Sequence, residues 1–303
     1  MSDYSIYNEK TKDRPDDGNM WIEYRGEQKP LFKLGLVTAL LTLVTLGIYR
    51  FWAKTRMRKY FWSATAPGGD PLDYTGNGLE KLLGFLIAVA FLAIYLGLFQ
   101  VLLSFVGMSV FSGGDEEAVA LQIAAGQATF LLVLPFIYYA QYRARRYILS
   151  RTRWRGIRFG VDPAAWGYVI RAIGHTLLTA ITFGLLAPRQ TFYLEKFKVD
   201  RTWYGNAKFE QGGRWQSLYP AMKHIFIALA MIIIPAVVTA LTELFVLLIF
   251  AFVGYVWIIY GMIYYQVESF RILGNHKTLE GGVGFKTAPR AAKVFWTYMF
   301  HPG

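Results

Sequence analysis

Two pairs of threonines stand where side-chain chemistry could serve a purpose. Thr42 and Thr45 precede Gly47, and Thr179 and Thr182 precede Gly184. A spacing of three sets both hydroxyls of a pair on nearly one helix face, a turn before a glycine at which the helix breaks. Hydroxyls so placed can line the apex of a polar path through a membrane. They serve equally to let helices pack closely and to bond the carbonyls that a break leaves open. Both readings stay open, so Thr42, Thr45, Gly47, Thr179, Thr182 and Gly184 are the pathway-lining candidates.

No residue pattern points to an enzyme. His175, His224, His276 and His301 are far apart, with no carboxylate or second histidine at ligand spacing. His175 falls where Thr38 stands before the first glycine break, which suits an interfacial or path-facing side chain better than a base. Gly68-Gly69-Asp70 and Gly281-Gly282 are turn signals without the Lys-Ser/Thr of a phosphate loop. Ser63, Ser104 and Ser150 lack the strand-turn-helix setting of a nucleophile elbow. With no cysteine, disulfides, thiol catalysis and thiolate metal sites are excluded. The expectation is a protein without catalytic residues, metal or cofactor.

The second chemical signal is basic and aromatic. Arg56, Arg58 and Lys59 lie among Phe51, Trp52, Tyr60, Phe61 and Trp62, and Arg143, Arg145, Arg146, Arg153 and Arg155 form a second run. A formal net charge of +12 could suit nucleic acid, but the basic runs lie just after apolar segments, as juxtamembrane anchors do. These eight residues are therefore lipid-headgroup candidates for an anionic inner leaflet. The same surface could dock a protein partner or a second copy; nucleic acid is not expected.

The elements that carry these groups are apolar helices. Hydrophobic residues make up 54% of 303 positions. Stretches 82–108 and 244–265 each exceed the ~18 to 20 residues that cross a bilayer core as a helix, and 118–139 and 225–241 are nearly as apolar. None of the long stretches carries a charge at its centre, which argues against ion-coupled pumping. Loop 107–118 and turn 239–243 lack Lys and Arg, whereas the other connections are rich in them. Positive-inside reasoning sets those two outside and the rest, with both termini, in the cytoplasm. Segments 34–49 and 170–187 then cannot cross fully, because basic runs flank each on both sides. Each is expected to be a re-entrant hairpin that turns at its glycine, with a basic aromatic return arm in the headgroup zone. Six full spans with inverted halves remain the alternative.

Spacing also indicates internal repetition. Leu40 to Gly47 recurs as Leu177 to Gly184, 137 residues on, and Ile137-Tyr138-Tyr139 recurs as Ile263-Tyr264-Tyr265 at 126. The boundaries expected are a flexible cytoplasmic tail (1–20), a first membrane repeat (21–156), a second (157–282), and an incomplete third repeat or surface helix (283–303). Helix ends run into an aromatic or leucine with a threonine five residues later: Tyr60/Thr65, Tyr147/Thr152, Phe197/Thr202 and Leu273/Thr278. Short aromatic stretches come next, at residues 72–76, 157–160, 208–209 and 283–285, and with 22–26 they are predicted to pair into a small cytoplasmic sheet. No cleavable signal peptide is expected.

The run from Thr45-Leu46-Gly47 through Trp52-Ala53-Lys54-Thr55-Arg56-Met57-Arg58-Lys59-Tyr60 resembles the YjgN family of bacterial inner-membrane proteins, a domain of unknown function. The second copy, Thr182-Phe183-Gly184 with Lys196-Phe197, lacks the Trp-Ala pair. The resemblance implies a bacterial plasma membrane and a multi-pass fold, but no activity. Members resembling this chain carry one more Thr-Leu-Gly unit, so a short or truncated C-terminus is expected, with 290–300 resting on the membrane surface. The fold expected is an all-α polytopic membrane protein: a tandem duplication, four transmembrane helices plus two re-entrant hairpins, and short cytoplasmic strands. The function expected is non-enzymatic, leaning to permeation of a small solute along the hairpins. The alternative is a lipid-binding scaffold or partner-docking protein.

Overall fold

The structure, a computed structural model, describes residues 20–105 and 116–300. The tail 1–19, most of loop 107–118 and His301 lie outside the described residues. Helices α1 (Gln28–Val44), α2 (Arg50–Ala64), α3 (Gly78–Phe105), α4 (Glu116–Ser150), α5 (Ala165–Ile181), α6 (Ala187–Val199), α7 (Lys223–Thr242), α8 (Leu248–Gly274) and α9 (Ala291–Phe300) dominate. Helical segments Gly78–Phe105, Ala118–Ser150, Trp215–Thr242 and Phe245–Gly274 are long and apolar enough to cross a membrane.

The chain divides into two compact units, residues 1–95 with 151–158, and residues 96–150 with 159–303. In the first, α1 and α2 form a helical hairpin. Strands β1 (Ile22–Tyr24) and β2 (Thr65–Pro67) pair antiparallel, Tyr24 opposite Thr65. Strand β3 (Leu72–Tyr74) pairs with β4 (Thr152–Trp154), Tyr74 opposite Thr152. Trp62 seals this corner: its indole Nε1 donates to Thr152 Oγ1 at 2.9 Å, and its ring meets Tyr74 edge-on.

In the second unit, α5 and α6 form the other hairpin. Strand β5 (Ile157–Val161), in which the chain passes from one unit to the next, pairs with β6 (Thr202–Tyr204). From there β6, β7 (Ala207–Gln211), β8 (Lys277–Leu279) and β9 (Val283–Gly284) run on as an antiparallel series. The core gathers Tyr142, Val161, Tyr168, Ala172, Leu194 and Phe197 from α4, β5, α5 and α6. Helices α7 and α8 pack closely because α8 offers Gly254: a Cβ there would lie 2.9 Å from both Ala228 O and Met231 Cβ. Small residues of this kind let apolar helices approach where no hydrophobic force draws them together. Helix α9 packs on α8, Phe295 against Tyr260 at 5.3 Å.

The five expected strands are present, but each pairs with a strand that was not expected rather than with another of the five. Their partners β2, β4, β6 and β8 were not foreseen as strands, although each begins at or beside one of the four recurring threonines. The side chain explains the position. Thr65 Oγ1 donates to Phe61 O and Thr202 Oγ1 to Lys198 O, both at 2.8 Å. The hydroxyl thus satisfies an open carbonyl at the helix end, while β-branching favours the strand that starts there.

Candidate functional site

Both hairpins turn by one device. Gly47 N–H donates to Thr42 O and Leu46 N–H to Leu43 O; Gly184 N–H donates to Thr179 O and Phe183 N–H to Ala180 O. This is the Schellman pattern of helix termination, in which one residue takes the left-handed conformation, usually a glycine. Here it is Leu46 (φ 50°) and Phe183 (φ 49°), followed by Gly47 (φ 90°) and Gly184 (φ 86°). The chain reverses at these glycines, but the strained position belongs to the residue before each. Both strained side chains are almost wholly exposed, Leu46 at 94% and Phe183 at 96%. Leu43, Val44, Ile48, Ile181 and Leu185 around them are exposed too.

The threonine hydroxyls are engaged locally. Thr45 Oγ1 donates to Leu41 O at 2.7 Å and accepts from Tyr49 N–H at 2.9 Å. Thr182 Oγ1 donates to Leu178 O at 2.8 Å and accepts from Leu186 N–H at 3.3 Å. Each therefore bridges the end of one arm to the start of the next. Thr42 Oγ1 donates to Thr38 O, and Thr179 Oγ1 is buried without a partner. A groove of about 660 Å³ runs between the arms of the first hairpin, lined by residues including Thr38, Thr42, Gly47, Ala53 and Met57 but not Thr45. Its walls are almost entirely apolar. In the second hairpin, the positions 137 residues on are filled. Ala172 and Leu194 pack in the core with Tyr142 of α4, and Thr176 shares a 2.6 Å hydrogen bond with the Tyr138 hydroxyl.

That hairpin also carries a polar cluster that sequence reasoning missed. Gln190 Nε2 donates to Thr176 Oγ1 at 2.9 Å, and Thr191 and Tyr265 share a 2.7 Å hydrogen bond. His175 stacks on Tyr193 and lies 3.2 Å from Arg189 Nη1. The signal available was the recurring Ile-Tyr-Tyr, read as a repeat marker without a role. Among the described residues, no three of His, Asp or Glu gather as metal ligands would.

The basic candidates fall into two groups. Arg56, Lys59 and Arg143 are exposed. Arg58 is held between the rings of Trp62 and Tyr74, Arg155 lies over Trp154 and pairs with Asp70 at 2.6 Å, and Arg145 reaches Glu195 at 3.9 Å. Arg146 and Arg153 are half-buried. Glu195, which the sequence did not single out, is an internal counter-ion. Lys198 and Lys277 each approach it at 2.8 Å, and its side chain is 18% exposed. Burial alone would raise its pKa. Lys198, Lys277 and Arg145, with the hydrogen bond from Lys198, outweigh that and bring it to about 2.

A family model described as "Bacterial protein of unknown function (DUF898)" matches residues 20–301. The chain belongs to this family. It is also similar to Inner membrane protein YjgN of Salmonella typhimurium, 25% identical over 161 residues. That match covers 51% of this chain and 35% of the relative, so the chain spans about a third of the length of the curated relative it matches. No solved structure matches.

Proposed function

We propose that this is a multi-pass inner-membrane protein that acts as a lipid-binding scaffold. Four helices cross the bilayer, two hairpins dip into one leaflet and return, and a basic strand-bearing layer lies on the cytoplasmic face with both termini. The observation that carries the reading is the pair of hairpin tips. A leucine and a phenylalanine held in left-handed backbone and turned wholly outward are costly in water, and stable where lipid receives them. The name of the Salmonella relative agrees with the membrane assigned. Tandem duplication is supported by the two matching turns and by the threonine-led strands.

Permeation along the hairpins has less support. It needs polar groups free to replace a solute's hydration shell, whereas the hydroxyls of Thr45 and Thr182 already bond to backbone. The first hairpin's groove is apolar. A scaffold needs neither a polar path nor catalysis, so no enzyme activity is proposed.

The test uses the absence of native thiols. Single cysteines at Leu46 and Phe183, labelled with an environment-sensitive dye in proteoliposomes, should emit as in hydrocarbon and resist aqueous quenchers. Dye at both tips quenched as in water would overturn the reading. Solute flux through the same liposomes should be absent, and unchanged in Thr45→Val and Thr182→Val.

A further inference from the structure

The first hairpin leaves open a groove that the second has filled. Gly35, Thr38, Ala39 and Thr42 of α1 line it with Ala53 and Met57 of α2, around a volume of about 660 Å³. The positions 137 residues on show how such a slot can be occupied. Ala172 and Leu194 pack there with Tyr142 of α4. The Tyr138 hydroxyl of the same helix shares a hydrogen bond with Thr176, which also accepts from Gln190 Nε2. Two tyrosines thus fill the second slot, and a polar pair in its wall receives one of them.

The first slot lacks that pair. Ala39 stands where Thr176 does, Ala53 where Gln190 does, and Gly35 where Ala172 does. The hydroxyls present are turned to their own helix: Thr38 Oγ1 donates to Leu34 O at 2.8 Å and Thr42 Oγ1 to Thr38 O at 2.7 Å. A tyrosine placed here would bury its hydroxyl unpartnered, a cost that the second slot avoids. The occupant that fits is slender and without polar groups. Length and charge indicate which one. Gly35 to Leu43 spans about 12 Å at ~1.5 Å per residue, close to the ~15 Å of hydrocarbon in one leaflet. At the open end of the hairpin, the Tyr60 hydroxyl bonds both the N–H and the carbonyl of Glu27 at 2.7 Å. Lys29, Lys33 and Lys59 are exposed at that end. An apolar slot with a basic mouth is complementary to one chain and the phosphate of a phospholipid. The tail 1–19 is chemically unsuited, because Asp3, Glu9, Lys10, Lys12 and Asp13 would carry charge into an apolar slot.

We propose that the groove between α1 and α2 holds one acyl chain of a bilayer phospholipid, with the headgroup at the lysine-bearing open end. This deepens the scaffold reading and rests on it. The chain does for the first hairpin what Tyr138 and Tyr142 do for the second.

The test places the full chain in phosphatidylglycerol nanodiscs doped with a phosphatidylglycerol whose acyl chain carries a diazirine. After illumination, crosslinks mapped by mass spectrometry should concentrate on Ala39, Thr42 and Met57 rather than on Leu36 and Leu40, which are exposed on α1 outside the groove. Gly35→Leu and Ala39→Leu fill the slot, and each should cut groove crosslinking about fivefold or more, as losing one or two buried methylenes would. Gly35 has open space where a Cβ would stand, so the first of these keeps the fold. Ala39→Thr combined with Ala53→Gln gives the slot the polar wall of the second hairpin, and should cut crosslinking as well. Gly84→Leu, at an open position on α3, should crosslink as the wild type does. Groove labelling no denser than at Leu36 and Leu40, or losses no greater in Gly35→Leu and Ala39→Leu than in Gly84→Leu, would overturn the site. A diazirine fatty acid that labels the groove in place of the phospholipid would overturn the phospholipid source. Disulfide-linked dimers of Ala39→Cys, with groove labelling absent, would assign the slot to a second copy and sink the lipid proposal. Tip dyes in hydrocarbon alongside any of these failures would leave the scaffold reading standing and remove this site alone.

Discussion

At Glu195 a single carboxylate joins α6 to α4 and β8, and its energetics carry a sign that can be measured. Its folded pKa is about 2, against an ordinary 4.5. A depressed carboxylate pKa stabilises the folded state above the ordinary value, and the contribution fades as pH falls from about 4.5 through about 2. Glu195→Gln should remove on the order of 3 kcal/mol at neutral pH. The variant should also flatten the loss of melting temperature across that acid window, as read by tryptophan fluorescence. A second sign test sits at the tips. Leu46→Gly and Phe183→Gly each relieve about 1 kcal/mol of left-handed strain but forfeit roughly 1.5 to 3 kcal/mol of apolar contact if lipid surrounds the side chain. Both variants should therefore melt lower in bilayers. Were the tips in water, strain relief would dominate and both would melt higher.

Between elements, the close approach of α7 and α8 depends on a missing side chain. Gly254→Val would drive its branches into Ala228 O and Met231, which leave no room for even one added carbon. The expected cost is about 1 to 3 kcal/mol, read as a lower melting temperature with secondary structure retained. Gly84 and Gly97 of α3 have open space at the same place, so Gly97→Val should leave the melt within about 0.5 kcal/mol of wild type. The comparison also shows how far pattern reaches. Apolar length indicated helices at both sites, but composition could not tell a glycine that touches a neighbour from one that does not. The strands divide in the same way. Aromatic residues bounded by Gly, Pro and Asp exposed the stretches at 72–76 and 157–160, whereas the threonine-led strands each start one to three residues after a helix ends. Their residues therefore read as the end of that helix.

For the whole molecule, the proposed topology sets residues 20 and 151 on one side of the membrane. Cysteines introduced at Met20 and Arg151 should respond alike to an impermeant reagent in intact cells. Reaction at one and protection at the other would replace the hairpins by six full spans. Sequence by itself determined the features that arise from local order along the chain. Apolar runs long enough to cross a bilayer, glycines at the reversals and threonines at helix ends all act within a few residues of themselves. Tertiary structure decided which groups meet. It brought Glu195 to Lys277, 82 residues away, set Arg58 between Trp62 and Tyr74, and turned Leu46 and Phe183 outward while bonding the threonines inward. Such pairings depend on the angles at which helices and strands pack, and those angles arise from every contact at once rather than from any stretch of sequence.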